Sequence, residues 1–299
     1  MSQVTFWIQA IRPRTLPLAL ASIGMGSFLA AFEGSFRLPV LLLSGATTLF
    51  LQVLSNLAND YGDALHGADH ARREGPSRAV QSGKISAKAM KNAIYAFVIL
   101  SLLSGLGLLF ISFADFGLYF FIFLFLGMLA VGAALNYTMG TNPYGYAGFG
   151  DVFVLVFFGF VGVVGTYFCH TGTIDPLVFL PALSCGLLST AVLNVNNIRD
   201  IQSDRLAGKM SIPVRIGRTN AIIYHWALIL VAIASASVFV AVQYQSSIQF
   251  LFVATVPFLI FNAIKVSVIK ESKKLDPYLK QMAISTLLFI IAFGIGNLI

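Results

Sequence analysis

The chain has 299 residues, 58% of them hydrophobic and only 10% charged. Soluble globular domains are about 45–50% apolar and about 25% charged. An ordinary soluble domain, a disordered chain and a disulfide-rich scaffold are therefore all excluded, and a bilayer is the solvent that accommodates so much apolar surface. The net charge of +7 would suggest nucleic acid on a soluble protein; here it is first tested against membrane topology.

In chain order, nine apolar runs have the length of a membrane-crossing helix: roughly 16–32, 39–59, 92–112, 116–137, 151–169, 177–198, 221–243, 248–269 and 281–298. None alternates apolar and polar residues as a barrel strand would. Arg12 and Arg14 precede the first run with no processing site behind it, so it reads as a span and not a cleaved signal. The expected fold is an all-α integral membrane protein, residues 1–299 forming one nine-helix bundle around a central cavity. Cys169 and Cys185 lie inside apolar runs and read as packing residues.

Counting bases by loop assigns all but Arg37 of the 19 Lys and Arg residues to one side. The positive-inside rule makes that side cytoplasmic, with the N-terminus inside and the C-terminus outside. Topology thus explains most of the net charge without nucleic acid. It leaves the acids unexplained. Two cytoplasmic loops, about 60–91 and 199–220, mix bases with Asp60, Asp63, Asp69, Glu74, Asp200 and Asp204.

The second span ends in Asn59-Asp60-Tyr61-Gly62-Asp63, and the sixth in Asn196-Asn197-Ile198-Arg199-Asp200-Ile201-Gln202-Ser203-Asp204. Spacings of three and four put Asn56, Asn59, Asp60 and Asp63 on one helix face and Asn196, Asp200 and Asp204 on another. Carboxylates stacked at a helix C-terminus repel each other and the helix dipole, so a cation must offset them. Hard oxygen donors at this density suit Mg²⁺, which uses one or two carboxylates together with waters and substrate phosphates. Arg73, Arg78, Lys84, Arg199, Arg205 and Lys209 can contact phosphate. A single Asp at a helix end is ordinarily a cap or a solvated charge; two matched stacks on one side point to a diphosphate site beside lipid.

At these residues the chain resembles the UbiA superfamily of intramembrane aromatic prenyltransferases. The stretches Arg12-Pro13-Arg14-Thr15, Gly75-Pro76-Ser77-Arg78, Asn142-Pro143-Tyr144-Gly145-Tyr146, Gly148-Phe149-Gly150-Asp151 and Val214-Arg215-Ile216-Gly217 extend the resemblance over most of residues 12–220. Gly67 stands where the common first motif has a further Asp, and the next acid is Asp69. That spacing is similar to the branch that prenylates naphthoquinone precursors. The resemblance implies transfer of a polyprenyl group from polyprenyl diphosphate to 1,4-dihydroxy-2-naphthoate in menaquinone synthesis at the inner membrane. It implies Mg²⁺ held by Asp63, Asp200 and Asp204, with Asp60 and Asp69 beside them. It also implies diphosphate contacts from Arg78 and Lys209, then Arg73, Arg199 and Arg205, with Asn59, Asn196 and Asn197 donating or orienting. Tyr137 is expected to reach the cavity, and Asp151 to orient the acceptor or to cap its helix. The loop 138–149, rich in Gly and Tyr, suits a packed lid. No protein partner is implied. The alternatives are another acceptor, such as 4-hydroxybenzoate or homogentisate, and a cation-coupled transporter. A transporter would place its acids near the midplane and not at helix ends.

Overall fold

A computed structural model describes residues 3–65, 78–113 and 115–299. All regular structure among them is helical, and nine helical stretches are long and apolar enough to cross a membrane. They are Gln3–Phe32, Leu38–Leu65, Ala87–Ser112, Leu118–Asn136, Gly150–Thr171, Pro176–Arg199, Ile212–Val242, Ser247–Val268 and Ser272–Leu298. The nine expected spans are therefore all present, and most reach beyond their apolar runs. The second continues to Leu65, carrying Asp60 and Asp63 on its last turns. The third begins at Ala87, where the Ser86 hydroxyl accepts from the Ala89 amide at 3.2 Å. Polar helix ends are invisible to a hydropathy window but cost nothing where they leave the membrane.

Three interruptions matter. The first stretch is two helices, Gln3–Ile11 and Leu16–Phe32, broken at Arg12, whose φ of 54° is left-handed. That conformation costs an L-residue about 1–2 kcal/mol. Arg12 is the only such non-glycine among the described residues. The sixth span ends at Arg199, and Asp200 joins it to a short helix, Ile201–Leu206. Within the fifth span, Leu155–Val164 winds as a π-helix, where a regular helix was expected. Here two glycines bring backbones together: a Cβ on Gly159 would lie 2.8 Å from the Ala182 carbonyl oxygen, and one on Gly162 3.0 Å from the Ser22 side chain. Small residues at membrane helix contacts permit such approach.

Two apolar cores result. The larger gathers the first span with the fifth to ninth, around Met25, Tyr167, Leu188, Ile229, Phe252 and Phe293. The smaller joins the N-terminal helix to the second and third spans and to residues 79–85, around Leu54, Leu57, Ile85 and Met90. The fourth span buries only Phe120 and turns the rest outward or to the cavity. One large cavity lies between the cores.

Candidate functional site

The cavity holds about 1010 Å³ and is lined by residues of the first six spans. Its polar mouth lies where the second and sixth spans end, so both acidic stacks face one space. Asn59, Asp60, Asp63, Asn196, Asp200 and Asp204 all line it.

On the second span, Asn56 donates to the Ile11 carbonyl at 2.8 Å and to the Thr15 hydroxyl at 2.9 Å, fixing the break in the first stretch. Asn59 Oδ1 accepts from Arg12 at 3.0 Å and from Arg78. The Asp60 carboxylate accepts from the backbone amides of Ala79 and Val80, each at 3.1 Å. Asp60 thus pins the returning loop, a role its place in the motif did not suggest. Asp63 pairs with Arg78 and accepts from the Tyr146 hydroxyl at 2.9 Å. Both Arg78 and Asp63 are buried.

On the sixth span, Arg199 uses its whole guanidinium. Nε and Nη2 donate to the two oxygens of Asp200 at 2.8 and 2.7 Å, Nη2 reaches Asn196 Oδ1 at 2.8 Å, and Nη1 reaches Asp276 Oδ1 at 2.7 Å. Asp204 lies 3.5 Å from Lys209 Nζ and accepts from the Ser211 hydroxyl at 3.2 Å. Burial pushes the Asp204 carboxyl pKa up, only partly opposed by the Lys209 ammonium. Burial opposes the charge on Lys209, but Asp204 and its neighbouring acids outweigh it and hold the ammonium above its ordinary pKa.

Tyr137 caps the fourth span, and Lys209 Nζ sits 6.0 Å from its ring centroid. Burial raises the Tyr137 pKa, so its hydroxyl stays protonated. From there aromatic rings run inward: Tyr137 to Tyr144 at 5.4 Å, Tyr144 stacked on Phe153 at 3.8 Å, and Phe153 on Phe157 at 6.1 Å. All four line the cavity. Sequence alone singled out no Phe; three-dimensional proximity picks out Phe153 and Phe157.

The loop 138–149 links the end of the second span to the segment after the sixth. Tyr146 touches Asp63, its carbonyl accepts from the Met210 amide at 2.8 Å, and Arg215 donates to the Ala147 carbonyl at 2.6 Å. It packs against the 208–215 segment as a lid would.

Several expected contributors are placed elsewhere. Asp151 is buried but does not line the cavity; its Oδ2 accepts from the Tyr224 hydroxyl at 3.1 Å. Asn197 is buried behind the wall, and among the described residues its Oδ1 has no hydrogen-bond partner. Arg205 is exposed, because the break at Asp200 restarts the helix with that residue outward. Asp69 and Arg73 lie outside the described residues. Arg12, Arg14, Tyr146 and Asp276 were missed as site residues. The stretch Arg12-Pro13-Arg14-Thr15 carries the family resemblance, but its sequence alone assigns neither arginine a place in the site.

Among the described residues no three His, Cys, Asp or Glu side chains cluster tightly enough to hold an ion unaided. The donor set nonetheless fits Mg²⁺: hard oxygens from two helix ends face one space, with guanidinium and ammonium groups between them for phosphate. Mg²⁺ characteristically completes its shell with water and phosphate oxygens.

Known proteins are similar to this chain over nearly its whole length. A 1,4-dihydroxy-2-naphthoate octaprenyltransferase of Haemophilus influenzae is 44% identical over 99% of this chain and 97% of its own length. The Escherichia coli protein of the same name is 42% identical over 99% and 96%. Among solved structures, the apo UbiA homolog of Aeropyrum pernix aligns over 95% of this chain and 97% of its own, with a TM-score of 0.70 at 20% identity. An Archaeoglobus fulgidus homolog bound to GPP and Mg²⁺ aligns over 99% of both chains with a TM-score of 0.64 at 18% identity. The UbiA prenyltransferase family signature matches residues 19–295, and this multi-pass membrane protein belongs to that family.

Proposed function

We propose that the chain transfers a polyprenyl group from polyprenyl diphosphate to 1,4-dihydroxy-2-naphthoate, releasing diphosphate and CO₂ and giving demethylmenaquinol. The observation that carries this is the convergence of two acidic helix ends and a set of bases on the mouth of one deep, largely apolar cavity. Full-length relatives bearing the octaprenyltransferase name support the acceptor.

Asp63, Asp200 and Asp204 would hold Mg²⁺. When bound, the ion neutralises charge growing on the departing diphosphate. Arg78 and Lys209, poised between the carboxylates, bind its oxygens, and Arg12, Lys84 and Arg199 line the same mouth. Ionisation of the donor leaves an allylic cation. The Tyr137–Tyr144–Phe153–Phe157 column offers ring faces to it and excludes water from it. The electron-rich ring of the acceptor attacks at its carboxylate-bearing carbon, and CO₂ leaves as aromaticity returns. The whole chain works as one transmembrane unit in the inner membrane, its mouth and N-terminus cytoplasmic and its C-terminus outside.

Purified protein supplied with Mg²⁺, an allylic diphosphate and dihydroxynaphthoate should form prenylated product, and chelation should stop it. Folded protein that forms none refutes the proposal; product from 4-hydroxybenzoate instead moves the chain to that acceptor. Asp63→Ala and Asp200→Ala should each abolish turnover while leaving the bundle folded, as read by gel filtration and circular dichroism.

A further inference from the structure

The motif logic stops at the sixth span, but its last residue does not. Arg199 is a planar fork with side-chain exposure of 2%. One edge, Nε and Nη2, grips Asp200; the third nitrogen, Nη1, is held at 2.7 Å by Asp276. Asp276 opens the ninth helix and is itself gripped by Arg14, whose Nη1 lies 3.0 and 3.2 Å from its two oxygens. A chain of alternating charges, Arg14–Asp276–Arg199–Asp200, therefore links the first, ninth and sixth spans. Arg199 and Asp200 lie in the second acidic motif; Arg14 and Asp276 lie in neither.

A guanidinium is rigid and planar, so fixing one side fixes the other. Asp276 determines how Arg199 is turned, and Arg199 determines how the Asp200 carboxylate presents itself to the cavity. Without Asp276, the third nitrogen of Arg199 would lose its anchor and Asp200 would be left as the fork's carboxylate partner. The fork would be free to swing fully onto that carboxylate, and the excess positive charge would oppose an arriving cation.

We propose that Asp276 is a positioning residue for the metal-holding carboxylate Asp200, acting through Arg199. This rests on reading Asp200 as a metal-holding group. A residue that holds the far side of a metal-binding group sets affinity and orientation without touching the ion.

The test uses the full chain in lipid nanodiscs. Mn²⁺ binding is titrated by water-proton relaxation in the presence of the unreactive S-thiolo analogue of geranyl diphosphate. Asp276→Asn should raise the Mn²⁺ concentration for half-saturation about tenfold, and Asp276→Glu should restore most of the affinity. Asp276→Asn should also unfold at a somewhat lower temperature, because it removes a carboxylate shared by two arginines; the change in Mn²⁺ affinity is the readout that separates positioning from structure. A merely structural role would move unfolding and leave Mn²⁺ affinity alone, and that result overturns the inference. Arg14→Gln, which loosens Asp276 from its other side, should weaken Mn²⁺ binding in the same direction. If Asp276→Asn does not fold, unchanged affinity in Arg14→Gln overturns the inference instead. Parent protein that binds no Mn²⁺ overturns the metal reading, and this inference with it; parent that binds while Asp276→Asn binds equally well overturns this inference alone.

Discussion

At the residue scale, Lys209 is the group on which most lines converge. It faces the Tyr137 ring, pairs with Asp204 and stays charged in a buried place because acids surround it. Lys209→Met should therefore have two separable effects. Turnover should fall about 10²–10³-fold, the usual cost of losing one preorganised charge stabiliser. The protein should also unfold at lower temperature, since Asp204 is left buried without its cation. Phe153 makes a cleaner probe of cation stabilisation. Phe153→Leu removes a ring face but keeps the apolar volume. A desolvated cation–π contact is worth about 2 kcal/mol, so kcat should fall about 30-fold with donor KM little changed, as steady-state kinetics would read. Asp63, Asp200 and Asp204 can be grouped from the sequence because helical spacing is local information, and Arg78 and Lys209 stand out as bases in the two loops that carry the acids. Asp276 and Tyr146 do not, since their partners lie 77 and 83 residues away and spacing says nothing across that distance. The Asp151 partner is equally hidden from the sequence: Tyr224 sits two spans on.

At the element scale, the spans were readable because hydropathy alone decides which segments live in lipid. Their extent and irregularity were not. The break at Arg12, the end of the sixth span at Arg199 and the π-helical winding of Leu155–Val164 depend on what each segment packs against. Gly62 illustrates the coupling. It sits between Asn59 and Asp63 on the second span, and a Cβ there would lie 2.5 Å from the Thr138 carbonyl oxygen. Gly62→Ala must push the helix end off the start of the lid loop. Overpacking of this kind costs about 1–3 kcal/mol. A lowered melting temperature in detergent and weakened donor binding are both expected, although no site atom is removed.

At the scale of the whole molecule, the cavity between the two cores sets which donors fit. Gly127 lines it, and a Cβ there meets nothing within 4 Å. Gly127→Phe should fill that space. It should depress turnover of long polyprenyl diphosphates far more than that of geranyl diphosphate, in a comparison of kcat/KM across donor lengths. The pairing of charges at the mouth has a different consequence. Asp63, Asp200 and Asp204 each already own a counter-cation from the chain: Arg78, Arg199 and Lys209. A zinc finger without its ion falls apart because nothing else holds its ligands together. This bundle carries its own substitutes. On the proposed function, it can be synthesised, inserted and stored with no ion aboard, and the divalent cation would be a passenger that arrives and departs with each diphosphate.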